Sequence, residues 1–199
     1  HVEKPGVYEA PMGIKFLELL EMAGGMKGGR KLKAVIPGGA SAPMLTAAEI
    51  AGVPMDFDGV AAAKSMFGSA AIIVMDETAD IPKAVTNISK FFAHESCGQC
   101  TPCREGTPWL NKMLKRIVNG EGKKADLDLL LSIASQMGNG MTICVFADAA
   151  IAPVLSGVSK FRSEFEAYIA RSAAPEYGLP APREVSSKVA ERVAGGIHS

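Results

Sequence analysis

The sequence predicts an α+β fold: a small β-grasp-like domain over residues 1–79, a four-helix bundle over residues 80–172 and an extended tail over residues 173–199. Three observations predict it. Before Asp80, short β-type runs are separated by Gly and Pro breaks. From Asp80 onward, apolar residues recur at helical spacing. Later still, Pro175, Pro180 and Pro182 are followed by Ser-rich and Gly-rich sequence, which reads as extended chain.

In the first domain, Gly6-Val7-Tyr8-Glu9 reads as a short strand after Pro5, and Pro11-Met12-Gly13 as a turn into an amphipathic helix. The apolar face of that helix is Phe16, Leu17, Leu20 and Ala23, with Lys15, Glu18 and Glu21 opposite. Gly24-Gly25 ends it, because glycine accepts the left-handed backbone of a helix C-terminus. Leu32–Ile36 alternates like a half-buried strand, and Pro37-Gly38-Gly39-Ala40-Ser41 breaks it. Ala70–Met75 is a continuous apolar run, expected to form a central strand buried on both faces. One helix packed on such a sheet gives the β-grasp-like expectation.

In the second domain, Asp80 suits an N-cap with Pro82 in the first turn. Ile81, Ala84, Val85, Ile88, Phe91 and Phe92 form one stripe, with Lys83, Asn87 and Lys90 facing away. A second helix, from about Pro108, carries Leu110, Met113, Leu114 and Ile117 and stops at Asn119-Gly120. A third carries Leu127, Leu130, Leu131, Ala134 and Met137 and ends at Gly138-Asn139-Gly140. A fourth, after Gly157, uses Val158, Phe161, Phe165, Tyr168 and Ile169. Short connections make these a bundle.

Composition excludes several functions. Lys plus Arg and Asp plus Glu number 21 each, which gives no support for a nucleic-acid or anionic-membrane partner. No apolar run approaches membrane-spanning length, and the start has no charged-then-apolar leader. The expectation is a soluble intracellular chain, or a soluble part of one, without direct membrane insertion. Neither G-x-G-x-x-G nor a Walker sequence is present.

The chemistry is concentrated in His94-Glu95-Ser96-Cys97-Gly98-Gln99-Cys100-Thr101-Pro102-Cys103-Arg104-Glu105-Gly106. Cys97, Cys100 and Cys103 put three thiols in seven residues, and Cys144 follows after 40 intervening residues. Four thiolates are what a [4Fe–4S] cube asks for, one per iron. Gly98 permits a positive φ, and Pro102 stiffens the turn before the third thiol. Arg104 and a helix N-terminus near Thr107-Pro108 would offset the thiolates' negative charge. Zinc more often uses two separated C-x2-C pairs, and adjacent C-x2-C residues bridge poorly. A zinc site, disulfides and free thiols nevertheless stay open on spacing alone. His94 reads as a cation near a helix C-terminus, and Glu95 and Glu105 as solvated or hydrogen-bonded groups.

The 94–106 stretch resembles the cluster loop of the flavin-binding F subunit family of respiratory complex I, the NADH:quinone oxidoreductases. Thr142-Ile143-Cys144, with Asp148-Ala149-Ala150 and Pro153, resembles that family's fourth-ligand segment. His1-Val2-Glu3-Lys4-Pro5-Gly6-Val7-Tyr8-Glu9 and Ile36-Pro37-Gly38-Gly39 are similar to its middle domain. The resemblance covers residues 1 to 172. It implies a soluble-ligand-binding β-grasp (SLBB) domain followed by a helical [4Fe–4S] domain, with Cys97, Cys100, Cys103 and Cys144 as cluster ligands.

The resemblance also implies limits. The family's FMN and NADH site has no counterpart here, so FMN and NADH are expected only in the intact subunit. No catalytic residue carries over, and the chain alone is not expected to oxidise NADH. The backbone amides of Gly98, Gln99 and Thr101, with Arg104, are the expected tuners of the cluster. Implied partners are the thioredoxin-like [2Fe–2S] subunit and the large iron–sulfur subunit of a peripheral arm on the cytoplasmic side of the bacterial inner membrane. A diaphorase subunit of a soluble NAD-linked hydrogenase or formate dehydrogenase, and a zinc-stabilised interaction module, are the alternatives.

Overall fold

A computed structural model of the chain describes residues 1–171. The tail expected over residues 173–199 lies outside the described residues. Among the described residues are eight α-helices and one three-stranded antiparallel sheet, an α+β fold. The chain divides into two compact units, the first ending at Asp80 and the second beginning at Ile81.

The first unit differs from expectation at its start. Residues 6–9 pair with no strand, and Val7 is fully exposed. β-type residues without a neighbouring edge have no ladder to join. Helix α1, Phe16–Met22, buries Phe16 and Leu20, with Ala23 buried at its C-cap. Leu17, expected on that face, is exposed, and Leu19 packs toward the core instead. The buried stripe is the narrow i, i+3, i+4, i+7 set, which a seven-residue helix cannot widen. Two reciprocal bonds close the helix, Gly25 N to Leu20 O at 2.9 Å and Gly24 N to Glu21 O at 2.8 Å, with both glycines at φ +79°.

Strand β1, Leu32–Ile36, lies between β2, Leu45–Thr46, and β3, Ile73–Asp76. Position explains two corrections. Because β1 is central, Ala34, Val35 and Ile36 are all fully buried rather than alternating. The Ala70–Met75 run supplies an edge strand, not the central one, and Ile73 is exposed while Met75 is buried. Its first residues form the preceding loop, where Ala70 adopts φ +54°. Two short helices go beyond the expected elements. Helix α2, Ala47–Ile50, starts from a capping box between Thr46 and Glu49. Helix α3, Phe57–Ala62, is capped by Asp56 Oδ1 on Gly59 N at 2.6 Å. Phe16, Val35, Leu45, Ile50, Met55 and Val60 form the core, each contributing about 1.5–3 kcal/mol on full burial.

Among the described residues the second unit has five α-helices where four are expected. Helix α4, Ile81–Glu95, buries Ile81, Val85, Ser89 and Phe92 but leaves Phe91 exposed. Helix α5, Thr101–Arg116, starts seven residues before the expected Pro108. Pro102 fits its first turn, where an N–H would be unpaired anyway, and Pro108 sits inside the helix. A π-turn at Ile117–Glu121, with Gly120 at φ +80°, leads to α6, Ala125–Met137. The single helix expected after Gly157 is two, α7, Phe146–Lys160, and α8, Arg162–Ala170. Gly157 lies inside α7 because α4 passes close by, and a Cβ there would stand 2.6 Å from Val85 Cγ2. Helix α4 packs on α5 and α7, and α6 packs on the same two. No helix among the described residues is long and apolar enough to cross a membrane.

Candidate metal centre

Helix α4 ends at Glu95 and α5 begins at Thr101, so only residues 96–100 link them. Cys97 and Cys100 lie on this link, Cys100 as the N-cap of α5, and Cys103 lies in the first turn of α5. Cys144 comes two residues before α7 starts at Phe146. Both cysteine segments therefore sit at helix N-termini, where unpaired N–H groups and the helix dipole favour negative charge.

All four cysteines line one cavity of about 200 Å³. Glu95, Ser96, Gln99, Thr142, Phe146 and Ala147 complete its lining. An edge-to-face contact between Phe92 and Phe146, centroids 5.5 Å apart, ties that lining to α4. The four thiols are unbridged; Cys103 is buried, Cys100 half-buried, and Cys97 and Cys144 exposed. Among the described residues no three His, Cys, Asp or Glu side chains converge as ligands of a single metal ion.

Two sulfurs have hydrogen-bond partners that motif spacing does not reveal. The Ile143 amide donates to Cys100 Sγ at 3.4 Å, and Ser96 Oγ lies 3.3 Å from Cys103 Sγ. The amide of Gly98, at φ +77°, donates to Ser96 Oγ at 3.4 Å. Of the residues expected to tune the site, Gln99 lines the cavity. Gly98, Thr101 and Arg104 shape the loop around it. The Arg104 guanidinium donates to Gly98 O at 2.9 Å, to Thr101 Oγ1 at 3.4 Å and to Glu105 Oε1 at 3.0 Å. Its charge is thus shared with Glu105. His94 is in the last turn of α4, exposed, with Nε2 4.0 Å from Glu95 Oε1. The only sequence signal for Ser96 is its place immediately before the first cysteine.

This donor set fits an iron–sulfur cube. Four thiols face one cavity from two segments, and two of the sulfurs already have hydrogen-bond partners. A [4Fe–4S] cube would take one thiolate at each of its four irons, so four thiols lining one cavity suit it.

Comparison with known proteins bears on the same residues. Residues 83–168 match the family described as the NADH-ubiquinone oxidoreductase-F iron-sulfur binding region, and residues 1–74 match the SLBB domain. The chain is 47% identical over 175 residues to the F subunit of NADH-quinone oxidoreductase from Streptomyces coelicolor, covering 88% of this chain and 38% of that one. It is 48% identical over 168 residues to the corresponding F subunit from Rhodobacter capsulatus, covering 83% and 39%. The chain thus spans about two-fifths of the length of the curated relatives it matches. Among solved structures, an NAD+-reducing [NiFe]-hydrogenase superposes with a TM-score of 0.77 at 29% identity, covering 99% of this chain and 32% of that one.

Proposed function

Because this chain belongs to the family of NADH-ubiquinone oxidoreductase-F iron–sulfur regions joined to an SLBB domain, we propose that it is the one-electron relay segment of an NADH-quinone oxidoreductase. The observation that carries this reading is the convergence of Cys97, Cys100, Cys103 and Cys144 on one cavity. These four side chains would hold the cluster, as thiolates. When bound, a [4Fe–4S] cluster supplies reversible one-electron storage at a potential set by charge, hydrogen bonding and exposure.

The protein's own groups set those conditions. The N-termini of α5 and α7 offset thiolate charge. Arg104 holds the 98–101 loop in shape, and Ile143 N–H docks the second segment on Cys100. Phe146 and Ala147 line the cavity. In the intact enzyme such a centre would supply one-electron transfer between FMN reduced by NADH and the other subunits of a peripheral arm, the thioredoxin-like [2Fe–2S] and large iron–sulfur subunits among them. That arm lies on the cytoplasmic side of the bacterial inner membrane.

A second reading rests on the fold likeness to the NAD+-reducing hydrogenase: the same relay in a soluble diaphorase. The higher identity to the F subunits supports the first reading. A low-temperature EPR titration of oxygen-free protein tests the relay. The expected result is a paramagnetic signal that appears on one-electron reduction and vanishes on reoxidation. A chain that takes up no electron reversibly overturns the proposal.

A further inference from the structure

We propose that Ser96 is a positioning residue for the electron relay, whose hydroxyl donates to Cys103 Sγ and makes the centre easier to reduce. The inference rests on the cluster reading given above.

The direction of the bond follows from its neighbours. Ser96 Oγ and Cys103 Sγ lie 3.3 Å apart, and between two protonated groups either could donate. Gly98 N–H already donates to Ser96 Oγ, at 3.4 Å, so one lone pair of that oxygen is engaged. A metal-bound thiolate carries no proton, so the serine O–H is the only donor between the two atoms. Gly98 itself adopts φ +77°, a conformation few other residues adopt.

Burial decides which sulfur benefits. Cys97 and Cys144 are exposed, and water can donate to their sulfurs. Cys103 is 8% exposed, so a donor lost there is not replaced from solvent, and a hydrogen bond in such surroundings is worth more than in water. Thr107 Oγ1 donates to Cys103 O at 2.9 Å and fixes the residue's backbone at the start of α5. The sulfur is therefore held from both ends, by Thr107 through the main chain and by Ser96 directly.

The effect on reduction has a definite sign. An added electron increases negative charge on the sulfurs, and a donor stabilises the more negative state more. In that one-electron step no bond forms or breaks, and the proton stays on Ser96 Oγ. Removing the hydroxyl lowers the midpoint potential.

The test uses the full chain, loaded with iron and sulfide without oxygen, as wild type, Ser96→Ala and Ser96→Thr. Potentials are read by EPR during titration with dithionite, and exchangeable-proton couplings by comparing samples in H2O and D2O. Ser96→Ala is expected to weaken reduction about tenfold, equivalent to about 59 mV for one electron, and to lose one exchangeable coupling. Ser96→Thr keeps a hydroxyl and is expected to restore both. If Ser96→Ala will not load but Ser96→Thr loads at the wild-type potential, the hydroxyl is required to hold Cys103, as proposed. Loading of Ser96→Ala at the wild-type potential, or failure of both variants to load, overturns the role of Ser96 alone. A wild-type chain that binds no cluster overturns the cluster reading itself.

Discussion

The backbone amide of Ile143 donates to the sulfur of Cys100 at 3.4 Å, joining two segments 43 residues apart in the chain. The Ile143 side chain takes no part and is 86% exposed. Main chain, not side chain, docks the second cysteine segment on the first. Ile143→Ala should therefore leave stability within about 0.5 kcal/mol of wild type, as other surface substitutions do. Ile143→Pro removes the donor and should speed loss of iron to a chelator severalfold. Equal rates for the two variants would contradict this account of how the segments are held together.

The same site marks how far sequence alone reaches. Three cysteines in C-x2-C-x2-C and a fourth downstream are visible in the sequence, and the structure places all four on one cavity. Ser96 and Ile143 are not, because a single hydroxyl and a main-chain N–H leave no periodic trace. Helix α7 escapes notice for a related reason: Phe146–Lys160 is rich in Ala and carries Pro153 and Gly157, so its apolar stripe is faint. Helix α5 starts earlier than expected because Pro108 reads as a first-turn proline, whereas Pro102 holds that role. The Ala70–Met75 run signals that a strand exists but not its neighbours. Strand order depends on pairing, and β1 rather than β3 takes the centre.

The buried carboxylate of Asp126 carries a structural prediction. It accepts from Arg116 Nε at 3.2 Å and from Lys123 N at 2.8 Å, pinning the end of α5 to the start of α6 across the π-turn. Removing one partner of a fully buried pair costs about 3–5 kcal/mol. Arg116 keeps 29% of its side chain exposed, so Asp126→Asn should cost less, about 2 kcal/mol. Urea denaturation measures it. A loss under about 0.5 kcal/mol, the range of ordinary surface substitutions, would mean that the pair does not hold the turn.

Two glycines separate backbone from side-chain crowding. A Cβ on Gly38 would stand 2.1 Å from Met66 O and 2.7 Å from Phe67 C, atoms of a neighbouring main chain that cannot turn aside. A Cβ on Gly106 would meet Met137 Sδ at 2.3 Å, the far part of a flexible side chain. Gly38→Ala should therefore destabilise by about 3 kcal/mol or more, at the upper end of overpacking costs. Gly106→Ala should cost at most about 1 kcal/mol, since alanine's helix preference offsets part of the strain. Thermal denaturation of both variants would show the order, and a reversed order would contradict the packing described.

Acid should act on the first unit through Asp76. Its carboxylate accepts from the Thr78 hydroxyl at 2.6 Å, the Thr78 amide at 2.8 Å and Arg30 Nη1 at 3.1 Å. The Thr78 hydroxyl is the largest influence holding its pKa below the ordinary carboxylate value, with burial opposing. A depressed folded pKa gives stability that is complete above the unfolded value, about 3.9, and is lost as pH falls through the folded one. The wild-type melting temperature should drop below about pH 4, and Asp76→Asn should flatten that drop. An identical acid slope in the variant would remove Asp76 from the explanation.

The central claim is that Cys97, Cys100, Cys103 and Cys144 hold one iron–sulfur cube, and the most direct measurement is metal and sulfide content. Protein purified without oxygen would be analysed for iron, zinc and acid-labile sulfide per chain, beside a variant with Cys103→Ala. About four irons and about four sulfides are expected in the wild type, with both largely lost in the variant. About one zinc and no sulfide per wild-type chain would contradict it.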